Sequence, residues 1–229
     1  MKTKRTFFSE AAYVVGVLLL AFGTALTERA DFGMSMVVAP AYLLHLKISA
    51  YWEAFTFGMA EYALQAFLLV VLSIFMRRGK FGYLFSFVTA IFYGTVLDLS
   101  MRAVAILPGD GIPGRLAFYL SGLLLCACGV AFLFHTYISP EAYELFVKEI
   151  SSRYGFSLNK VKTIYDCISC LAGILLSFCF FGFLHFEGVK LGTVFCALVN
   201  GWLIGRIGRG LEAVFTFRDA LPLRRFFEK

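Results

Sequence analysis

The sequence predicts an all-α membrane protein: six transmembrane helices arranged as two inverted three-helix repeats with interrupted or re-entrant segments. Three observations predict it. Hydrophobic residues fill 60% of the 229 positions and charged ones 16%, with a mean hydropathy of +0.79, far more apolar than a globular domain of this length. Apolar stretches recur six times, most of them near the 20 residues that cross a hydrocarbon layer of about 30 Å. Basic residues alternate between the ends of those stretches: if all six span, 16 of the 21 Lys and Arg fall on one side. The positive-inside rule makes that side cytoplasmic, and an even number of spans puts both termini there.

Lys2, Lys4 and Arg5 precede the first span, Tyr13 to Leu26. The basic start, the apolar run and Ala21-Phe22-Gly23-Thr24-Ala25 also fit a cleaved leader over Met1 to Ala25. Its loss would leave five spans and spoil the charge alternation, so the span is read as retained. Met34 to Leu46 is apolar, too short to span and interrupted by Pro40, which leaves a re-entrant segment or a short interfacial helix. Tyr51 and Trp52 suit the headgroup boundary before the second span, Ala54 to Met76. Arg77-Arg78-Gly79-Lys80 turns the chain into the third, Gly82 to Leu99, where Asp98 reads as an i,i+4 partner of Arg102.

Leu107 to Gly114 is dense in Pro and Gly and marks the midpoint linker; its glycines fit no nucleotide fingerprint. After the fourth span, Leu116 to Phe134, Ser139-Pro140-Glu141-Ala142 reads as the cap and first turn of an amphipathic cytoplasmic helix. Ala142, Tyr143, Phe146 and Ile150 form its apolar face. The fifth and sixth spans are Val161 to Leu184 and Leu191 to Gly205. The division is then a first repeat over 1–106, a linker over 107–114, a second repeat over 115–208 and a cytoplasmic tail over 209–229. In that tail Arg218, Arg224 and Arg225 beside Phe215, Phe217, Phe226 and Phe227 suit anchoring on anionic lipid.

The net charge of +6 does not point to nucleic acid, because the basic residues form juxtamembrane clusters rather than one polar face. His45, His135 and His185 lie far apart near span ends and suit interfacial roles. The six cysteines all fall in spans and read as packing residues; a soft-metal site would need Cys126, Cys128, Cys167 and Cys170 to converge. Without a nucleophile elbow or metalloprotease helix, no enzyme activity, cofactor or metal is expected.

The chemistry lies in the few polar groups inside the spans. A carboxylate such as Glu61 costs about 2.5–3.5 kcal/mol there on insertion scales and needs a partner, a wet cavity or a task. Gly58, Glu61 and Gln65 recur at three and four residues and share one helix face. Asp166 enters the fifth span four residues after Lys162, so snorkelling or pairing competes with a functional role. Ala90 to Leu97 aligns with Ala197 to Ile204, setting Tyr93-Gly94 against Asn200-Gly201 as an internal repeat. Three spans per repeat make the repeats inverted, an architecture of secondary transporters with midplane sites.

Ala30-Asp31-Phe32-Gly33, Pro40-Ala41-Tyr42, Phe57-Gly58 with Gln65, Lys160-Val161-Lys162 with Asp166, and Gly188-Val189-Lys190-Leu191-Gly192-Thr193 are the stretches at which the chain resembles the YitT/YczE/YyaS-like family of bacterial inner-membrane proteins. It departs at Met59, where Thr often follows Phe-Gly, and at Ser139-Pro140-Glu141-Ala142, which lacks glycines around the proline. The resemblance implies a multi-pass protein of the bacterial cytoplasmic membrane, commonly presumed a transporter, with no general substrate.

The expected function is secondary transport of a small solute by alternating access. Glu61, Gln65, Tyr93, Asp166 and Asn200 would line the polar site, while Pro40, Gly58, Gly94, Pro140 and Gly201 would serve packing or gating. The motive is the retention of acids where the span interiors hold no Lys or Arg. The alternative is a substrate-binding or accessory subunit working with an energising or biosynthetic partner, docked through the small pair Ala21 and Ala25, the tail or the Pro140 helix; a homo-oligomer or partner subunit is also open.

Overall fold

The computed structural model describes residues 4–76, 81–109, 111–183 and 187–224, so the 77–80 turn, His185, Arg225, Phe226 and Phe227 lie outside the described residues. Eight helices appear among them: α1 (Ser9–Ala30), α2 (Ala39–Ser49), α3 (Phe57–Met76), α4 (Phe81–Ala105), α5 (Ile112–Phe134), α6 (Ala142–Tyr154), α7 (Leu158–Phe181) and α8 (Leu191–Val214). All but α2 and α6 are long and apolar enough to cross a membrane. The fold is thus an all-α, multi-pass membrane architecture. Several helices outrun the expected spans, among them α1 at both ends, α4 reaching Ala105 and α8 passing residue 208 to end at Val214.

The helices α1–α4 and α5–α8 form equivalent sets. α1 packs on α4 as α5 packs on α8, α3 on α4 as α7 on α8, α2 on α3 as α6 on α7, and α2 on α7 as α6 on α3. The sets meet along α1 and α5, where glycines let two antiparallel backbones touch. A Cβ on Gly129 would lie 2.7 Å from the Gly16 carbonyl oxygen, and one on Gly23 would lie 2.8 Å from that of Gly122. Such small-residue seams are how helices associate where lipid offers no hydrophobic drive. Ala21 and Ala25 are fully buried within the chain, which corrects their assignment as an external docking face.

The segments around Pro40 and Pro140 both fold back into the helix bundle. Beyond the end of α5 the chain climbs without helix to Glu141, and α6 then descends antiparallel to α3. The Ala142 N–H bonds Gln65 and the Arg153 guanidinium bonds the Met76 carbonyl, so α6 follows α3 for about 16 Å. Ser139 to Leu145 are all buried. On the opposite side, α2 starts beside Gly173 of α7 and ends where Lys47 Nζ bonds the Phe180 carbonyl, a run of about 12 Å. The α6 segment is therefore not a surface amphipathic helix. The reason is polar: its tip carries groups that only partners inside the bundle satisfy.

Both termini meet at one face. Strands β1 (Arg5–Phe8) and β2 (Phe215–Arg218) pair in parallel, Arg5 opposite Phe215. Phe7 packs against Phe132, Phe215 and Phe217 at 5.3–6.0 Å between ring centres. Glu10 accepts bonds from the Tyr137 hydroxyl at 2.7 Å and the Leu221 N–H at 2.9 Å. Burial and that carboxylate push the Tyr137 phenol up to about 12, which keeps it a donor. Phe215 and Phe217 thus belong to a clasp between the first and last described strands. We call this the terminal face.

Candidate functional site

The tips of both proline-led segments converge on the centre of the bundle. Around them lie four buried carboxyls, Glu61, Glu141, Glu144 and Asp166, each no more than 2% exposed. One ammonium, Lys162, is 1% exposed among them.

Glu61 Oε2 accepts from the Tyr143 hydroxyl at 2.8 Å and from Gln65 Nε2 at 3.3 Å. Gln65 also donates to Glu141 Oε2 at 3.4 Å and accepts the Ala142 N–H at 3.1 Å. A side chain of α3 thereby caps α6, whose own cap residue, Glu141, makes no side-chain bond of that kind. This corrects the assignment of the cap to Ser139 and of the first helical position to Pro140. The Ser139 and Pro140 carbonyls instead accept the hydroxyls of Thr89 and Ser86 on α4. Burial, then the charges of Glu144 and Glu61, raise the Glu141 carboxyl well above the ordinary carboxylate range.

Lys162 Nζ lies 3.0 Å from Asp166 Oδ1 and 3.3 Å from Glu144 Oε1. The expected pairing of Asp166 with Lys162 is present, but it sits in the core rather than at the surface. The span interiors therefore do hold a lysine. Its sequence position beside Lys160 hid it among the cytoplasmic charges.

Asp166 and Glu61 occupy matching places in the two repeats. A Cβ on Gly94 would lie 3.1 Å from the Gly58 carbonyl, and one on Gly201 would lie 2.6 Å from the Thr163 hydroxyl. Those crossings equate Gly58 with Thr163 and Gly94 with Gly201. Glu61 and Asp166 each follow by one helical turn. Gly58 also donates its N–H to Asp98 Oδ1 at 2.9 Å, and Thr56 donates its hydroxyl to Oδ2 at 2.9 Å. Asp98 is accordingly a cap on α3, not the partner of Arg102 that its spacing suggests.

A cavity of about 20 Å³, room for roughly one water, sits beside this cluster. Tyr93, Glu141, Tyr143, Glu144, Lys162 and Asn200 border it, with Thr24 and Ser35. Of the five expected site residues, Tyr93 and Asn200 reach the cavity wall, and Tyr93 donates to Thr24 Oγ1 at 3.1 Å. Glu61 and Gln65 stand behind it through Tyr143 and Glu141, and Asp166 through Lys162. Sequence reasoning missed Glu141, Tyr143, Glu144 and Lys162. The signal for the first three was the proline shared by two short segments in equivalent positions, which asks both to fold into the bundle once one does.

The face opposite the termini is closed by two distant stretches. The Gly192 N–H bonds the Phe32 carbonyl at 2.9 Å and the Met34 N–H bonds the Gly188 carbonyl at 3.0 Å. Lys190 pairs with Asp31, as does Arg115 at 2.9 Å. Gly33, at φ +106°, passes where a Cβ would lie 2.5 Å from the Thr193 hydroxyl. Pro40 opens α2 below this closure, and Pro140 holds the matching place before α6.

Residues 7–209 match the model of a family of unknown function, DUF6198. The chain belongs to that family. No curated protein and no solved structure matches it.

Proposed function

We propose that this DUF6198 protein is a secondary transporter of a small solute, working by alternating access between its two inverted repeats. One observation carries the reading: the tips of two short proline-led segments, one from each repeat, meet at a buried, acid-rich cluster beside a small cavity. Four carboxyls facing one ammonium are costly to keep buried, so the cluster needs protons or a ligand to balance it. A role in packing alone would be met at lower cost by apolar side chains.

The resemblance to the YitT/YczE/YyaS-like family agrees with this reading. Two of the stretches that carry it, Ala30 to Gly33 and Gly188 to Thr193, are those that close the face opposite the termini. On this reading the protein lies in a bacterial cytoplasmic membrane with the terminal face inside, as the basic clusters suggest. Glu61 then holds a proton or orients Tyr143 for the solute, and Asp166 performs the equivalent task with Lys162. The accessory-subunit alternative loses one of its docking faces with Ala21 and Ala25 buried in the seam.

The test is electrogenic or pH-coupled flux by the full chain reconstituted in liposomes, screened across small amines, amino acids and sugars. Substrate-induced current that disappears in Glu61→Gln is the expected result. Flux whose pH dependence is untouched in Glu61→Gln would remove the proton role. No flux with any solute would sink the transport reading.

A further inference from the structure

The central cavity selects for a hydrogen-bond donor. Six buried side-chain atoms among the described residues have no hydrogen-bond partner: Glu61 Oε1, Glu141 Oε1, Glu144 Oε2, both Asp166 carboxyl oxygens, and Asn200 Oδ1. Lys162 is within ion-pair range of one of them, Asp166 Oδ1, without a well-aligned hydrogen bond. All six are oxygens: five belong to carboxyls, which accept wherever they are ionised, and one is an amide carbonyl. Three of the residues that carry them, Glu141, Glu144 and Asn200, border the cavity. Asn200 is 4% exposed, and its unpaired carbonyl is an observation separate from the acids. Such an oxygen, buried without a partner, bears its full desolvation penalty uncompensated.

We propose that the cavity bordered by Glu141, Glu144 and Asn200 binds an ammonium group, either free ammonium or the head of a small primary amine, as the cation carried by the transporter inferred above. A directly coordinated metal ion is a poor fit, since the described residues hold no group of three or more His, Cys, Asp or Glu placed to bind one. An ammonium group works at hydrogen-bond range, about 2.7–2.9 Å, and its donors spread over several acceptors. The cavity volume matches one water-sized ion. The chain already solvates one ammonium in this manner, because Lys162 lies between Glu144 and Asp166 and 5.7 Å from the Tyr165 ring centre. Tyr93 and Tyr143 also border the cavity. The positive pole of α6 opposes a cation, but its Ala142 N–H is already bonded to Gln65 and the surrounding carboxyls outweigh a partial charge.

The inference rests on the transporter reading for its purpose but is tested by binding alone. The full chain in detergent is unfolded thermally with ammonium chloride, methylamine hydrochloride, sodium, potassium or choline chloride at one ionic strength. A midpoint raised by ammonium, with sodium and potassium matching choline, is the expected result. Methylamine equal to ammonium identifies an amine head as the ligand, and methylamine at least tenfold weaker identifies free ammonium. Asn200→Leu and Glu144→Gln should each weaken apparent ammonium affinity tenfold or more. Asn200→Asp, which keeps the oxygen, should retain it and covers a Leu variant that does not fold. Equal midpoints in ammonium and choline, or unchanged affinity in Asn200→Leu, would overturn the proposal. Binding without flux would leave the site standing and defeat only the transporter reading; flux of another solute without ammonium binding would do the reverse.

Discussion

Lys162→Met is the most informative single perturbation of the core. The ammonium stands 3.0 Å from Asp166 and 3.3 Å from Glu144, with all three side chains at most 2% exposed. Removing one partner of such a buried pair costs about 3–5 kcal/mol, chiefly because a charge is left without compensation. Here two carboxyls lose the same ammonium, so the upper part of that range applies. Against a total stability of about 5–15 kcal/mol, the variant should be severely destabilised. The cost should reverse when the charges are removed together: Lys162→Met with Glu144→Gln and Asp166→Asn should return to within about 2 kcal/mol of the parent. Reversible denaturant unfolding in mixed micelles measures both. A single variant within 1 kcal/mol of the parent, or a triple variant no better than the single one, would refute the buried-triad reasoning.

Three other predictions follow from the geometry. Gly129→Ala sets a Cβ 2.7 Å from the Gly16 carbonyl and the Leu20 N–H, so α1 and α5 must part, lowering stability by about 1–3 kcal/mol in the same assay. Asp98→Ala removes the cap on α3 and two charge-assisted bonds, costing about 2 kcal/mol, whereas Arg102→Ala should cost under 0.5 kcal/mol. Glu141 is held above its unfolded pKa by burial, so its favourable contribution is complete at acid pH and is lost as pH rises through the folded value. Stability measured from pH 5 to 9 should therefore fall in the parent and fall less in Glu141→Gln.

Much of the fold was legible in the sequence because lipid demands long apolar runs and basic flanks. The repeat was legible at Tyr93-Gly94 and Asn200-Gly201, since glycines at helix crossings are fixed by backbone approach. The site was legible only in part. Glu61 stood out because no basic residue lay within one turn. Glu141 and Glu144 did not, because an acid beside a proline at a helix start has an ordinary explanation in the helix dipole. Lys162 was hidden by Lys160, two residues away and exposed, since sequence distance from a charge cluster does not report which way a helix turns. Asp98 shows the same limit: its true partners, Thr56 and Gly58, lie about 40 residues away and its apparent one lies four.

The clasp of β1 and β2 makes the two faces mechanically unequal. At the terminal face a backbone ladder joins the first repeat to the second, reinforced by Glu10. The opposite face relies on solvent-exposed pairs of Asp31 with Lys190 and Arg115, each contributing about 0–1 kcal/mol, and on a few backbone bonds. The α1–α5 seam joins the repeats along its length and the clasp stiffens one end of it, so that end would serve as the hinge in any rocking of the repeats. Rocking of the repeats would swing widest at the mouth farthest from the hinge, so the first aqueous path to the acid-rich centre should form past Asp31 and Lys190.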